Sequence, residues 1–191
     1  MKKRWYDYLW IVVLIYLILG FVNILFACLG LLCFIFAILI SVSTGTKGWC
    51  NKYCGRAQIF NLIGGQFGLS RKKDMPKWMK SKWFQYGFLI FFFATFFYTL
   101  WLTYLVFAGV RNLQQIVTLI WTFKVPWDWA YYGDFLHPGI SQFAFGFYSS
   151  MLTMTILGLI TMILFKPRSW CVYCPMGTMT HAICKIKNKN K

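Results

Sequence analysis

Four of the seven cysteines lie in two short segments that resemble each other, and these paired thiols are the residues best suited to chemistry. The first segment reads Trp49-Cys50-Asn51-Lys52-Tyr53-Cys54, and the second reads Trp170-Cys171-Val172-Tyr173-Cys174. In both, Trp precedes the first cysteine and Tyr precedes the second. Cysteines two to four residues apart are typical of chelating pairs. The two segments together therefore predict one metal centre held by four thiolates.

The residues after each pair indicate how the sulfurs are tuned. Pro175 suits the first position of a helix, so Cys174 is expected at a helix N-terminus, where the partial positive charge favours thiolate over thiol. Gly55 and Gly177 would let backbone N–H groups approach the sulfurs, a contact that tunes the potential of an iron-sulfur centre. Positive charge nearby comes from Lys52, Arg56 and Arg168.

Other residues near the pairs are given simpler roles. Trp49 and Trp170 fit interfacial anchoring first and shielding of a cluster second. His181 is expected to be solvated on a basic surface helix. The remaining cysteines are predicted to be packing or surface thiols rather than ligands: Cys28, Cys33 and Cys184.

Composition places the chain in a membrane. Hydrophobic residues make up 59% of the 191 residues and charged residues 13%, against about 25% charged in soluble proteins. No segment between the apolar runs is long enough for a core of its own. We expect a single membrane domain over residues 1–191, formed by a first hairpin and cysteine motif (1–69), a basic linker (70–82), and a second hairpin with its motif and basic tail (83–191).

The apolar runs predict an all-α fold with four transmembrane helices. Residues 8–44 are too long for one upright span and are expected to fold at 20–23 into two, with a single tilted or partly interfacial helix as the alternative. No small-x-small cleavage site follows the first stretch, which is therefore expected to remain as a span. Residues 83–110 and 143–165 are apolar on every face and give two more spans, while the aromatic segment 111–142 is expected to lie along the outer surface. A cysteine motif follows each even-numbered span, as in a protein built from two parallel repeats.

Charge predicts the orientation. With four spans, eighteen of the twenty Lys and Arg residues fall on one side, leaving Arg111 and Lys124 on the other. By the positive-inside rule, the motifs and both termini are expected to be cytoplasmic. The membrane is expected to be a bacterial inner membrane. Attraction to anionic lipid or to an acidic redox partner is a smaller addition to this topological role.

At this point the chain resembles a known family, the membrane 4Fe-4S proteins with paired Cys-x-x-x-Cys-Pro motifs. Members include the membrane quinol-dehydrogenase subunit of periplasmic nitrate reductase systems and the membrane part of the nitrous oxide reductase regulator. The resemblance covers most of the chain and implies electron transfer, with the motif cysteines matched by Cys50, Cys54, Cys171 and Cys174. It also implies redox partner subunits of ferredoxin, flavin or cytochrome type, and quinol. No nucleic-acid partner is expected.

The chain departs from the family pattern at two places. Gly55 stands where the family has Pro, and the second motif has two residues between its cysteines instead of three. Larger members also carry soluble ferredoxin-type clusters or an external flavin domain, for which this chain has no counterpart. We therefore expect a bare membrane module, more an electron-transfer subunit of an oxidoreductase complex than a complete enzyme.

Two other readings use the same cysteines. A quinone-linked thiol-disulfide oxidoreductase also needs two cysteine pairs, but on the outer side of the membrane. A structural zinc site in a transporter or assembly factor accepts the same spacing. For the iron-sulfur reading itself, 4Fe-4S is favoured by the resemblance, and 2Fe-2S and a single iron also suit four thiolates.

The first of these alternatives differs from electron transfer in topology. In intact cells, a membrane-impermeant maleimide should leave Cys50 and Cys171 unmodified and should modify a cysteine placed at Lys124, since only the latter is expected outside. Peptide mass spectrometry identifies the labelled sites. Labelling of Cys50 or Cys171 before permeabilisation would contradict the predicted orientation.

Overall fold

The computed structural model describes residues 8–46, 48–131 and 137–189, and these are mostly helical. The basic residues Lys2, Lys3, Arg4, Lys47 and Lys191, and with them both chain termini, lie outside the described residues. The α-helices are α1 (Leu9–Val22), α2 (Gly30–Thr44), α3 (Gly55–Asn61), α4 (Lys82–Phe107), α5 (Pro138–Leu164) and α6 (Pro175–Lys189).

Three helical stretches of the described chain are long and apolar enough to cross a bilayer: Ile24–Thr44, Lys82–Phe107 and Pro138–Leu164. The first of them joins α2 to a 3₁₀ helix over Ile24–Leu29. Helix α1 is also apolar but has 14 residues, and a span needs about 17 or more. The structure thus supports three of the four predicted spans by length and composition.

The break predicted at 20–23 in the first apolar run has a local cause at Asn23. Its backbone is extended, and its side-chain oxygen accepts a hydrogen bond from the Leu25 amide at 3.0 Å, which caps the 3₁₀ helix after α1 ends. The Tyr16 hydroxyl donates to the Ala27 carbonyl at 3.2 Å, so the chain doubles back here. At the other end of α2, Gly45 has φ +64, the left-handed conformation that ends many helices.

The chain divides into two compact units. The first comprises Met1–Val13, Leu32–Phe92 and Leu157–Lys191, and the second comprises Leu14–Leu31 and Phe93–Ile156. All the predicted site residues belong to the first unit.

The second unit contains a β-hairpin that the all-α prediction missed. Strands β1 (Ile116–Leu119) and β2 (Phe123–Pro126) pair antiparallel, with Val117 opposite Val125. Val117, Trp127 and Ala130 are buried with Ile24, Ala144, Phe145 and Tyr148 in one core. The side chains of these three residues therefore pack inside the protein, and the prediction that segment 111–142 lies along the outer surface of the membrane stays a prediction. Tyr132 and Asp134 of this segment lie outside the described residues.

Helix α5 holds the hairpin in place through polar side chains. Gln142 accepts from the Gln114 amide at 2.9 Å, Ser149 from the Thr118 amide at 2.9 Å, and Thr153 from the Ile120 amide at 3.2 Å. The spacing of seven and then four residues puts all three on one helix face. This helix is thus not apolar on every face, because one face satisfies backbone donors that the short hairpin leaves unpaired.

In the first unit, glycines bring α5 against the helix that follows the first cysteine motif. A Cβ at Gly158 would collide with the ring of Phe60, which is fully buried, and a Cβ at Gly64 would lie 2.6 Å from the Met162 sulfur. Small residues allow such close packing of helices.

This packing predicts the effect of a larger residue at Gly158. Gly158→Leu should lower the free energy of unfolding by about 1–3 kcal/mol, as overpacking of a filled contact does. Thermal unfolding in detergent, followed by circular dichroism, measures the change. Gly87→Leu is the matched control, because an added Cβ there meets no atom within 4 Å; equal stability of the two variants would contradict the packing role.

Candidate metal centre

Each of the two cysteine segments folds into a turn that is closed by a hydrogen bond between its second cysteine and its tryptophan. In the first, the Cys54 amide donates to the Trp49 carbonyl at 2.9 Å, and in the second the Cys174 amide donates to the Trp170 carbonyl at 3.0 Å. The first turn contains one residue more and is a π-helix over Trp49–Tyr53, a rare form that accommodates one extra residue in a helical turn. The difference in spacer length is thus taken up inside the turn.

Each second cysteine also begins a helix. Cys54 has an extended backbone just before α3. The backbone N–H of Gln58 in that helix donates to the Cys54 carbonyl at 3.2 Å. Cys174 directly precedes α6, whose Thr178 amide donates to the Cys174 carbonyl at 2.9 Å. The predicted place of Cys174 at a helix N-terminus, with Pro175 as the first helical residue, is confirmed.

Backbone N–H groups donate to the sulfur of Cys174 but not, as a helix cap, to that of Cys54. The Cys174 sulfur accepts hydrogen bonds from the amides of Met176 and Gly177, whereas the Cys54 side chain makes no capping hydrogen bond. Gly55 has instead a packing reason, since a Cβ there would lie 2.6 Å from the Leu9 carbonyl oxygen. The predicted N–H approach to sulfur is therefore found at Gly177 and not at Gly55.

Side chains brace each turn. Gln58 donates to the Lys52 carbonyl at 2.9 Å and accepts from the Trp10 amide at 3.2 Å, which ties the first turn to α1. In the second turn the rings of Trp170 and Tyr173 meet edge to face with centroids 4.9 Å apart, and both are almost fully buried. The equivalent rings of the first turn, Trp49 and Tyr53, are 6.3 Å apart.

The four motif cysteines lie in one region of the first unit. Cys171 is within electrostatic range of Cys174, Cys54 and Cys50, and Cys174 is within range of Cys54. Gly177 lies among them: a Cβ on it would be 3.1 Å from the Cys171 carbonyl oxygen and 4.0 Å from the Cys50 sulfur. A side chain at this position would intrude between the two motifs.

A hydroxyl joins the first motif to α6. The Thr180 oxygen lies 3.6 Å from the Cys50 sulfur and donates to the Gly177 carbonyl at 3.1 Å, and Thr180 is fully buried. When Cys50 carries its proton, the thiol donates to the hydroxyl oxygen. When the proton is gone, the Thr180 hydroxyl donates to the sulfur only by giving up its hydrogen bond to the Gly177 carbonyl.

Burial governs the protonation of the second motif. Loss of water raises the pKa of Cys171, the neighbouring thiols raise it further, and Arg168 opposes the change. Burial also raises the pKa of Cys174, although the Gly177 amide and Arg56 lower it. The expectation that the helix N-terminus keeps Cys174 ionised is therefore wrong for the free thiol, because desolvation outweighs the helix end.

Sequence reasoning missed a fifth cysteine near this group. Cys33 of α2 is within electrostatic range of Arg56, Cys54 and Cys174. The sequence predicts a packing role for Cys33 because a spacing of five residues puts Cys28 and Cys33 on different helix faces. That spacing carries no information about contacts with segments distant in sequence. Cys28 itself packs against the core of the second unit, as predicted. Cys184 is buried in α6, and His181 is exposed.

The two turns offer a metal only one type of ligand atom. The donor set consists of sulfur alone, from two turns, with cationic Arg56 and Arg168 beside it. Among the described residues, no three His, Cys, Asp or Glu side chains are grouped closely enough to hold one metal ion. A polynuclear cluster attaches its thiolates to different irons and so accepts sulfurs that are near but not touching. Four cysteine sulfurs are the type of ligand that such a cluster uses.

Comparison of the chain with protein-family models, with curated proteins and with solved structures gave no match in any of the three. The family resemblance of the motifs thus stays a prediction, and the site is described by its own geometry.

Convergence of the two motifs predicts a cross-link. In metal-free protein, a short bismaleimide should join Cys50 or Cys54 to Cys171 or Cys174, as identified by peptide mass spectrometry. The raised pKa values of the second pair leave little thiolate at neutral pH, so the yield should grow as the pH rises. Cys28, which lies in the other unit, is the internal control. Products confined to one motif at alkaline pH would contradict the convergence.

Proposed function

We propose that the protein is a membrane-embedded electron-transfer subunit whose four motif cysteines hold an iron-sulfur cluster, with 4Fe-4S as the favoured form. The observation that carries this proposal is that Cys50, Cys54 and Cys174 are all within electrostatic range of Cys171, on two turns of matching construction. The electron would pass between quinol or a cytoplasmic donor and a partner redox protein of ferredoxin, flavin or cytochrome type.

The protein's own residues supply what such a centre needs. The cluster, when bound, accepts and gives up one electron. Trp170 and Tyr173 cover the second turn and exclude water. The amides of Met176 and Gly177 donate to the Cys174 sulfur, and the Thr180 hydroxyl lies where it donates to a deprotonated Cys50. Hydrogen bonds to sulfur stabilise the more negative reduced state, so these contacts raise the potential.

Thiol-disulfide exchange suits these cysteines less well. That chemistry requires an exposed thiolate of low pKa, whereas burial raises the pKa of both Cys171 and Cys174. A metal, by contrast, displaces the thiol protons as it binds. The same burial that suppresses nucleophilic attack protects a metal centre from water.

The membrane setting belongs to the proposal as well. The three long apolar helices support it, and α1 would complete four spans if it crosses with its flanking residues. The basic residues around both motifs support a cytoplasmic face of a bacterial inner membrane. On this arrangement the centre lies at the inner surface, where a soluble or peripheral redox partner has access to it.

Replacement of the ligands tests the proposal. Cys50→Ser and Cys174→Ser should each abolish a broad visible absorbance that bleaches with dithionite, because each removes one thiolate of a shared centre. Anaerobic purification followed by absorption spectroscopy is the measurement. Cys28→Ser is the control and should keep the colour, since Cys28 lies in the other unit. Colour retained in both motif variants would exclude the shared centre.

A further inference from the structure

The segment Arg71–Lys82 forms a strongly basic surface in the first unit. Its basic residues are all exposed: Arg71, Lys72, Lys73, Lys77, Lys80 and Lys82. Asp74, its one acid, bonds to Lys166 at 2.6 Å, and this ammonium group holds the pKa of Asp74 below its usual value. The rest of the positive charge is therefore available to an outside partner.

This segment is fixed in position and not merely a linker. The Arg71 amide donates to the Ile163 carbonyl at 3.1 Å, and the Ser70 hydroxyl donates to the Phe165 carbonyl, both at the end of α5. Met75 is buried beneath it. The residues to which it is attached come immediately before the second cysteine turn, so the basic surface is anchored beside that turn.

A continuous series of ring contacts connects this surface to the cysteines. Trp78 is 62% exposed in the middle of the segment, yet its ring meets Phe84 edge to face at 5.2 Å. Phe84 contacts Tyr173 at 5.4 Å, and Tyr173 contacts Trp170 at 4.9 Å. Tyr173 stands between Cys171 and Cys174 in the second turn. One exposed ring is thus linked through packed aromatic side chains to the motif.

We propose that the surface of segment 71–82, centred on Trp78, is the docking site of an acidic protein that carries a one-electron redox centre. This inference rests on the proposed electron-transfer function and names the place where the partner binds. Unopposed positive charge selects an acidic partner and speeds its approach, and a central exposed Trp is the residue type that most often anchors an interface. One electron moves between the two centres, so one is oxidised as the other is reduced and no bond changes.

Anionic lipid is the competing occupant, since Trp and Lys at a helix end also suit a bilayer surface. The ring contacts favour the redox protein, because anchoring to lipid gives no reason for a link from Trp78 to the cysteine turn. Trp83, the residue that follows this segment, provides the comparison. It is 88% exposed beside Lys82 but lies outside the series of ring contacts.

The test is the rate at which the oxidised centre is reduced. Anaerobically purified protein in phosphatidylcholine nanodiscs is mixed in a stopped-flow instrument with a reduced acidic plant-type ferredoxin or, separately, with reduced methyl viologen. The ferredoxin rate constant should fall about tenfold or more in K77E/K80E, as loss of steering does, and in Trp78→Ala, as loss of a central Trp does. Raising the salt concentration should lower the ferredoxin rate constant of the parent protein and change that of K77E/K80E much less.

Controls separate the possible failures. Trp83→Ala and K124E/K185E, which has the same charge change, should keep the parent ferredoxin rate, and methyl viologen should reduce every variant alike if each is folded and loaded. Equal ferredoxin rates in all variants would overturn the docking site alone. Equal effects of Trp78→Ala and Trp83→Ala that appear only with phosphatidylglycerol in the discs would assign the surface to lipid and also overturn it. A centre that neither reductant bleaches would remove the proposed function itself.

Discussion

Bringing four cysteines into one region, with Cys171 and Cys174 deprived of water, is the constraint on which the first unit depends. Thiolates in such a place repel one another and lose hydration, and both effects raise the pKa of Cys171. Arg56, Arg168 and two backbone amides oppose this only in part. A bound metal would supply the missing positive charge and release the protons as it binds, so loading and local folding would be coupled.

The remaining features of the unit serve that convergence. Two turns, each closed from a cysteine amide to a tryptophan carbonyl, set the second cysteine of each motif at the start of a helix. Glycine at 177 keeps the space between the motifs open, while Gly55 and Gly158 let neighbouring helices approach. Aromatic rings cover the second turn, and the same rings lead outward to the basic segment. In the proposed centre, protection and access would thus come from one set of side chains.

The sequence predicted what depends on local pattern. Asn23 at the first helix break, Cys174 before Pro175 and the long apolar helices follow from capping, proline geometry and hydropathy. The hairpin escaped prediction because Ile120 and Trp121 adopt positive φ without the Gly or Asn that such a turn favours. A hydrogen bond from the Ile120 amide to Thr153 of α5 is made at this turn. Cys33 and the protonation of Cys174 also escaped, since both depend on segments that meet only in the folded chain.

The central proposal is that the four cysteines hold an iron-sulfur cluster. Analysis of iron, zinc and acid-labile sulfide in anaerobically purified protein, combined with electron paramagnetic resonance before and after dithionite, tests it most directly. The account predicts iron and sulfide together and a signal that appears or changes on one-electron reduction. Colourless protein with stoichiometric zinc, no sulfide and no resonance would contradict it and would assign the cysteines to a structural site.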